Sequence, residues 1–113
     1  MHIPFRFIEF SMEHLVRFDN IVCLIGNRNY TQIWLRNGRC IVASKTLDVL
    51  EKVLPVSFVR IHKSHVVNQA YIKNFHKCAQ CGRVSLQDGR TLQVARRRLK
   101  DVEKQLYYLH HLA

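Results

Sequence analysis

Two glycine-containing dipeptides constrain this chain most, because each lies between two short runs of strand-forming residues. Asn37-Gly38 separates residues 30–36 from residues 39–43, and Asp88-Gly89 separates residues 83–87 from residues 90–94. Such a pair between two runs of this kind is the strongest short-range signal for a β-hairpin, and the type I′ turn favoured there requires positive φ at both central residues. The sequence therefore predicts two antiparallel hairpins, with a type I′ turn at Asn37-Gly38.

Other segments are also rich in residues that favour strands. The continuous apolar run over residues 21–25 is typical of a buried strand, whereas residues 5–10 alternate only in part and indicate an edge strand. Residues 58–61 and 71–75 are expected to be extended, and residues 65–68 between them to be irregular or a short helical turn. We therefore expect several short antiparallel strands.

Two helices are predicted. Ser44 or Thr46 can cap a short helix over residues 47–54, which Pro55 ends. An amphipathic helix beginning near Arg96 is marked by apolar residues that recur every three or four positions, namely Leu99, Val102, Leu106 and Leu109. The predicted fold class is mainly β with short α, built as short antiparallel sheets plus a C-terminal helix.

Composition favours one soluble domain with a polyanionic partner. The chain has 113 residues, 48% of them hydrophobic, so we expect a single unit over residues 1–113 with its own core. A net charge of +10 favours nucleic acid ahead of a membrane surface. No apolar stretch approaches the roughly 20 residues that span a bilayer, and the N-terminus lacks the layout of a secretory signal, so a cytoplasmic location is expected.

Cysteines are expected to be reduced thiols in that compartment, with Cys23 and Cys40 pointing from strands into the core. Cys78 and Cys81 have metal-knuckle spacing, with His76 nearby, yet they supply only two of the four ligands of a structural zinc. A plain turn is preferred, and no metal site or cofactor is predicted. The alternative function is a redox- or metal-responsive protein-interaction module using Cys78 and Cys81.

The segment Gly26-Asn27-Arg28-Asn29-Tyr30 lies between two predicted strands and combines one guanidinium, two amides and a phenol. Asn can pair with adenine, Arg with guanine or phosphate, and Tyr can contact the nucleic-acid backbone. An ordinary Asn-rich turn has the same composition, so both interpretations stand at this point.

A second cluster begins where strand alternation stops, and it comprises Arg60, His62, Lys63 and Ser64. Loops carried on a rigid sheet concentrate binding residues, so these side chains are candidates for contact with nucleic acid. His62, like Asn68 after it, can equally be a buried, hydrogen-bonded structural residue, whereas Lys63 and Ser64 are expected to be exposed.

The third cluster, Arg96, Arg97 and Arg98 together with Lys100, lies at the start of the predicted last helix. Positive charges there oppose the helix macrodipole and are unfavourable unless an anion lies nearby. Anion binding is the preferred interpretation, the alternative being three arginines directed to solvent on different faces. The sequence has no nucleophile elbow, Gly-rich phosphate loop or His-Glu-x-x-His motif, so no enzyme is predicted.

These residues resemble a known family, the LytTR DNA-binding domain of bacterial response regulators. Its most recognisable segment matches Phe58, Arg60, Ile61, His62, Lys63, Ser64, Val67, Asn68 and Ile72, and matches at Asn29-Tyr30, residues 88–92 and Val94 extend the resemblance to about residues 19–107. The chain departs from the family at Ala95, where Ser usually caps the last helix, and at the Cys78 to Cys81 turn.

The resemblance implies a transcriptional regulator that docks along double-stranded DNA and inserts loops into successive major grooves. Base contacts would come from Asn29-Tyr30, Lys63 and Arg97, while the DNA backbone would be anchored by Arg28, Arg60, Arg96 and Ser64. His62 and Arg98 complete the expected DNA-binding set. A free-standing regulator and the output domain of a longer one both remain open, as do a second copy on an adjacent half-site and a receiver domain or sensor as partners.

Overall fold

The computed structural model describes the backbone of residues 7–11 and 14–111 and the side chains of residues 16–106. The strands are β1 Phe7–Ser11, β2 His14–Arg17, β3 Ile21–Asn27, β4 Tyr30–Leu35, β5 Cys40–Ala43, β6 Phe58–His62, β7 His65–Asn68, β8 Ile72–Lys77, β9 Gly82–Leu86 and β10 Thr91–Val94. The helices are α1 Leu47–Glu51 and α2 Leu99–His111, and single 3-10 turns cover Phe18–Asn20, Gln69–Tyr71 and Arg96–Arg98. The predicted mainly β fold with short helices is confirmed.

All strand pairs are antiparallel. A five-stranded sheet has the order β5-β4-β3-β7-β6, a three-stranded sheet has the order β10-β9-β8, and β1 pairs with β2. Of the expected N-terminal strand at residues 5–10, Phe5 and Arg6 lie outside the described residues, and the rest falls in β1.

Both predicted hairpins form, but the type I′ turn expected at Asn37-Gly38 is wrong. Gly38 and Gly89 have φ of +88° and +96°, while Asn37 and Asp88 do not have positive φ. Leu35 pairs with Arg39, and Leu86 with Arg90, across three-residue loops. A turn whose last residue is a left-handed glycine closes such a loop, so one positive φ is enough where a two-residue type I′ turn needs two.

The strand β7 corrects the expectation for residues 65–68, which are neither irregular nor helical. Val66 and Val67 are buried and pair with β3 on one side and with β6 on the other. Its flanking residues, His65 and Asn68, are polar, which hides the apolar centre from a periodicity argument. The strand exists because β3, far earlier in the chain, and the adjacent strand β6 accept and donate its backbone hydrogen bonds.

The five-stranded sheet has a hydrophobic core on each face. On one face, residues such as Val59, Ile61 and Val67 pack with β9, β10 and α2. On the other, residues such as Leu24 and Ile33 pack with α1. The central strand β3 contributes to both cores, which explains why residues 21–24 are all buried and why no alternation is visible there.

The two helices are confirmed with different bounds. Thr46, not Ser44, caps α1 by accepting a hydrogen bond from Val49 N, and the helix ends at Glu51, before Pro55. Leu99, Val102 and Leu106 are buried, as predicted from their spacing, and the side chain of Leu109 lies outside those described. The α-helix begins at Leu99, because the three arginines before it form a 3-10 turn.

The cysteines differ from the expectation in two ways. Cys78 and Cys81 form a disulfide in the tight turn between β8 and β9 rather than two reduced thiols. Cys40 is exposed on the edge strand β5, whereas Cys23 is buried in the core, as predicted. Burial raises the pKa of the Cys23 thiol to about 12, so this thiol stays protonated.

Candidate functional site

Two backbone hydrogen bonds connect the segments that carry the three predicted clusters. The amide of Gly26, beside the β3–β4 turn, donates to the carbonyl of Ser64 over 2.8 Å. The amide of Ala95, directly before the three arginines, donates to the carbonyl of Ile61 over 2.8 Å. The β6–β7 turn at residues 62–65 therefore lies between the other two clusters and is attached to both.

The β3–β4 turn carries a strained arginine. Arg28 has a φ of +55°, and among the residues described it is the one non-glycine residue with positive φ. This conformation costs an L-residue roughly 1–2 kcal/mol. Asn27 Nδ2 donates to the hydroxyl of Tyr30 over 2.8 Å across the turn, and Arg28, Asn29 and Tyr30 are exposed. The turn thus presents a guanidinium and an amide on a rigid hairpin.

Arg60 lies among protein groups rather than facing outward. Its side chain is 11% exposed, and four of its five N–H groups donate within the protein. Two bonds of 2.9 Å reach the carboxylates of Asp48 and Glu51 on α1, and two reach the carbonyls of His62 and Lys63. The guanidinium of Arg60 therefore holds the β6–β7 turn against α1, while its predicted contact with the DNA backbone stays a prediction.

The β6–β7 turn exposes Lys63 between two histidines. The amide of Ser64 donates to His62 Nδ1 over 3.1 Å, so the imidazole of His62 accepts at this nitrogen and orients the turn. The rings of His62 and His65 are 5.1 Å apart, and Nδ1 of His65 is buried without a hydrogen-bond partner among the described atoms. Burial, followed by the nearby His62, lowers the pKa of His65.

A shallow depression joins the first two clusters. It has a volume of about 300 Å3, and Arg28, Arg60, Lys63 and Ser64 contribute to its lining together with Gly26 and the N-terminal end of α1. Asp48 also contributes, and it is paired with Arg60. The charges along this depression that have no carboxylate partner in the described part of the chain are therefore those of Arg28 and Lys63.

The arginine turn, which is the 3-10 turn Arg96–Arg98, leads into α2 without a side-chain cap. Ala95 precedes it and provides no side-chain hydrogen bond, as expected from alanine at this position. Arg96 and Arg97 are exposed, Arg98 is partly buried, and none of the three has a carboxylate partner among the described side chains. Their charges therefore lie at the N-terminus of α2 without compensation from a carboxylate among the described side chains.

Asn68 belongs to the core and not to this surface. It is 4% exposed, its Nδ2 donates to the carbonyl of Ile21 over 2.9 Å, and its Oδ1 accepts from the amide of Ala70 over 3.1 Å. The structural interpretation of this residue is confirmed. The roles of Asp48 and Glu51 were missed, although two acidic residues on one short helix in a chain of net charge +10 offered a signal.

Two kinds of site are not seen in the part of the chain that is described. Residues 7–11 and 14–111 bring together no group of three or more His, Cys, Asp or Glu side chains able to hold a metal ion. In the same ranges, the helices are too short or too polar to cross a membrane.

Known proteins resemble the chain in sequence and in fold. The family model of the LytTr DNA-binding domain matches residues 12–107. A solved structure with a similar fold is the LytTr DNA-binding domain of a protein described as a methyl-accepting/DNA response regulator from Bacillus cereus, with a TM-score of 0.76 and 21% sequence identity. The alignment covers 88% of this chain and 94% of that one. No match was found among curated proteins.

Proposed function

This chain belongs to the LytTR DNA-binding domain family, and we propose that it is a sequence-specific, double-stranded DNA-binding transcriptional regulator or the output domain of a response regulator. The observation that carries the proposal is the attachment of three cationic segments to one another through the Gly26–Ser64 and Ala95–Ile61 hydrogen bonds. Rigid turns that present cations and amides are suited to contact both phosphates and base edges.

The proposed roles follow from exposure and chemistry. Arg97, exposed before α2, pairs with guanine O6 and N7, and Lys63 contacts guanine or phosphate. Asn29 and Tyr30 reach a base from the β3–β4 turn. In this proposal the β3–β4 turn, the β6–β7 turn and the arginine turn enter successive major grooves.

A further set of residues fixes the position of the domain on DNA. Arg28, Ser64 and Arg96 contact the phosphate backbone, with Arg98 supporting them. His62 orients the turn through Ser64, and Arg60 holds it from inside the protein. Removal of a phosphate contact weakens all DNA sequences alike, whereas removal of a base contact weakens the preferred sequence most.

The test is selection of a random duplex library on the purified protein, followed by titration of the winning duplex and a scrambled duplex across a salt series. We expect one motif, bound at least about 10³-fold more tightly than the scramble. Binding without a motif and with steep salt dependence would contradict the proposal, as would tighter binding to RNA of the same sequence. A motif that recurs at a fixed spacing would indicate a second copy on an adjacent half-site.

Two arginine variants separate the roles. Arg97→Ala should cost roughly 1–3 kcal/mol of binding free energy on the selected duplex and relax base preference. Arg28→Ala should weaken binding to both duplexes alike and reduce the magnitude of the salt slope, the slope of log affinity against log salt concentration, by about 0.9. Arg39→Ala, in the exposed β4–β5 turn at the other end of β4 from Tyr30, is the matched control and should change neither property. Equal losses on both duplexes for Arg97→Ala would refute its assigned role.

A further inference from the structure

Besides the three clusters described above, basic side chains also gather along one side of α2. Lys77, at the end of β8, lines an open depression of about 420 Å3 together with Lys100, Glu103 and Lys104 of α2. Among the side chains that the structure describes, the four that line the depression are all charged, three of them positively. The net charge of these four side chains favours an anion.

Glu103 does not neutralise the two lysines of its own helix. Its Oε2 lies 2.6 Å from the ammonium of Lys77, so this pair is internally compensated. Lys100 and Lys104 are exposed and have no carboxylate partner among the side chains that the structure describes. Two like charges four residues apart on a helix are unfavourable, and Lys100 in addition lies in the first turn, beside the positive end of the macrodipole. Two features of α2 therefore favour a bound anion.

The two lysines follow the arginine turn closely in the chain. Lys100 and Lys104 are four residues apart, which brings their side chains to one face of α2, and Arg97 lies three residues before Lys100, in the 3-10 turn. Lys100 and Lys104 are about 6 Å apart along the helix axis. A row of cations of this kind follows a chain of phosphates better than it surrounds a single anion.

We propose that Lys100 and Lys104 hold phosphates of the DNA strand beside the base pairs that Arg97 reads. The inference rests on the proposed DNA-binding function and adds to it a phosphate-binding surface on α2. Lys77 is a positioning residue in this surface, because its ion pair compensates the carboxylate that would otherwise repel the phosphates.

The test is the salt dependence of binding by the double variant Lys100→Gln/Lys104→Gln, with the selected duplex carrying about ten base pairs of flank on each side. Loss of two phosphate contacts reduces the magnitude of the slope of log affinity against log salt by about 1.8. The fall in affinity between 50 and 200 mM salt is then about twelvefold smaller. The preference for selected over scrambled duplex should be retained, because neither lysine is assigned to a base.

The matched control removes the same charge elsewhere. Arg36→Gln/Arg39→Gln alters two exposed arginines in the β4–β5 turn and should leave the slope within the error of the wild type. Glu103→Gln should have the opposite effect on the salt slope, because it removes a carboxylate and releases Lys77. The magnitude of the slope should increase by about 0.9, and binding should become tighter.

The outcomes are distinguishable. A slope for Lys100→Gln/Lys104→Gln that equals the wild-type slope, or an equal fall in the control, overturns the phosphate surface while leaving the proposed function in place. Absence of motif-selective binding by the wild type overturns both. A lowered slope in the lysine variant alone, with a raised slope for Glu103→Gln, supports the surface.

Discussion

The guanidinium of Arg60 donates a hydrogen bond to the main-chain carbonyl of Lys63, three residues further along the chain. The same guanidinium binds Glu51 of α1, so one side chain ties the turn that exposes Lys63 to a helix that packs on the sheet. If the proposed function holds, Arg60 affects DNA binding through Lys63, whose main chain it holds in place. A guanidinium supplies several donors in a fixed fork, and an ammonium cannot reproduce that geometry.

Arg60→Gln should therefore weaken the selected duplex without lowering the salt slope, since no phosphate contact is removed. The free energy of unfolding should fall by roughly 1–3 kcal/mol, mostly from the two carbonyl bonds, because Asp48 and Glu51 are 81% and 40% exposed and water screens those pairs. Urea unfolding and duplex titration measure both. Arg17→Gln, which breaks the exposed pair with Asp19, is the control, and a lowered slope for Arg60→Gln would mean direct contact with DNA.

Arg28→Gly should separate stability from binding. Glycine adopts the φ of +55° without strain, so the free energy of unfolding should rise by up to about 1 kcal/mol while the salt slope falls by about 0.9. Arg36→Gly, at a turn position without positive φ, should instead lose roughly 0.5–1 kcal/mol. Urea titration of both variants checks this, and equal destabilisation would show that Arg28 is not strained.

His65 should make the fold less stable in mild acid. Its pKa is lowered in the folded protein, so below the ordinary value of 6.5 the unfolded chain binds a proton that the folded chain does not. Stability is then lost as the pH falls below about 6.5, until the pH drops under the folded pKa. Urea unfolding between pH 7.5 and pH 5 should show this slope in the wild type and a shallower one in His65→Gln. Parallel curves would contradict it.

Leu50→Ala should damage the fold without changing base preference. Leu50 is 2% exposed and packs on the sheet face opposite α2, so truncation should cost roughly 2–5 kcal/mol. Val53→Ala, at a side chain 58% exposed, should change stability by less than about 0.5 kcal/mol. Thermal unfolding compares the two. Duplex selectivity measured on the folded fraction of Leu50→Ala should match the wild type, and altered selectivity would place α1 in the binding surface.

Local chemistry was enough for part of the fold. Gly38 and Gly89 mark both hairpins because turn conformation depends on a few adjacent residues. Thr46 and the spacing of Leu99 and Val102 predict the helices for the same reason. The strand β7 was not predicted, because one of its two pairing partners, β3, is remote in sequence and its terminal residues are polar.

Which side chains point into the protein could also not be predicted without the tertiary structure. Residues 40–43 are all apolar, so their pattern could not tell which of Cys40 and Ile41 points inward, and the edge position of β5 leaves Cys40 exposed. Arg60 lies in the family-like segment, and its charge alone suggested contact with DNA. Its partners on α1 come from nine and twelve residues earlier, so only the packing of that helix against the sheet reveals an internal role.

The sequence by itself determined the mainly β class, the two hairpins, the basic character and the three cationic segments, because each depends on composition or on residues close together in the chain. Only the tertiary structure decided that these segments adjoin, through Gly26–Ser64 and Ala95–Ile61, and which cations remain exposed. The physical reason is that hydrogen bonds and burial between remote segments depend on how the sheets and helices pack.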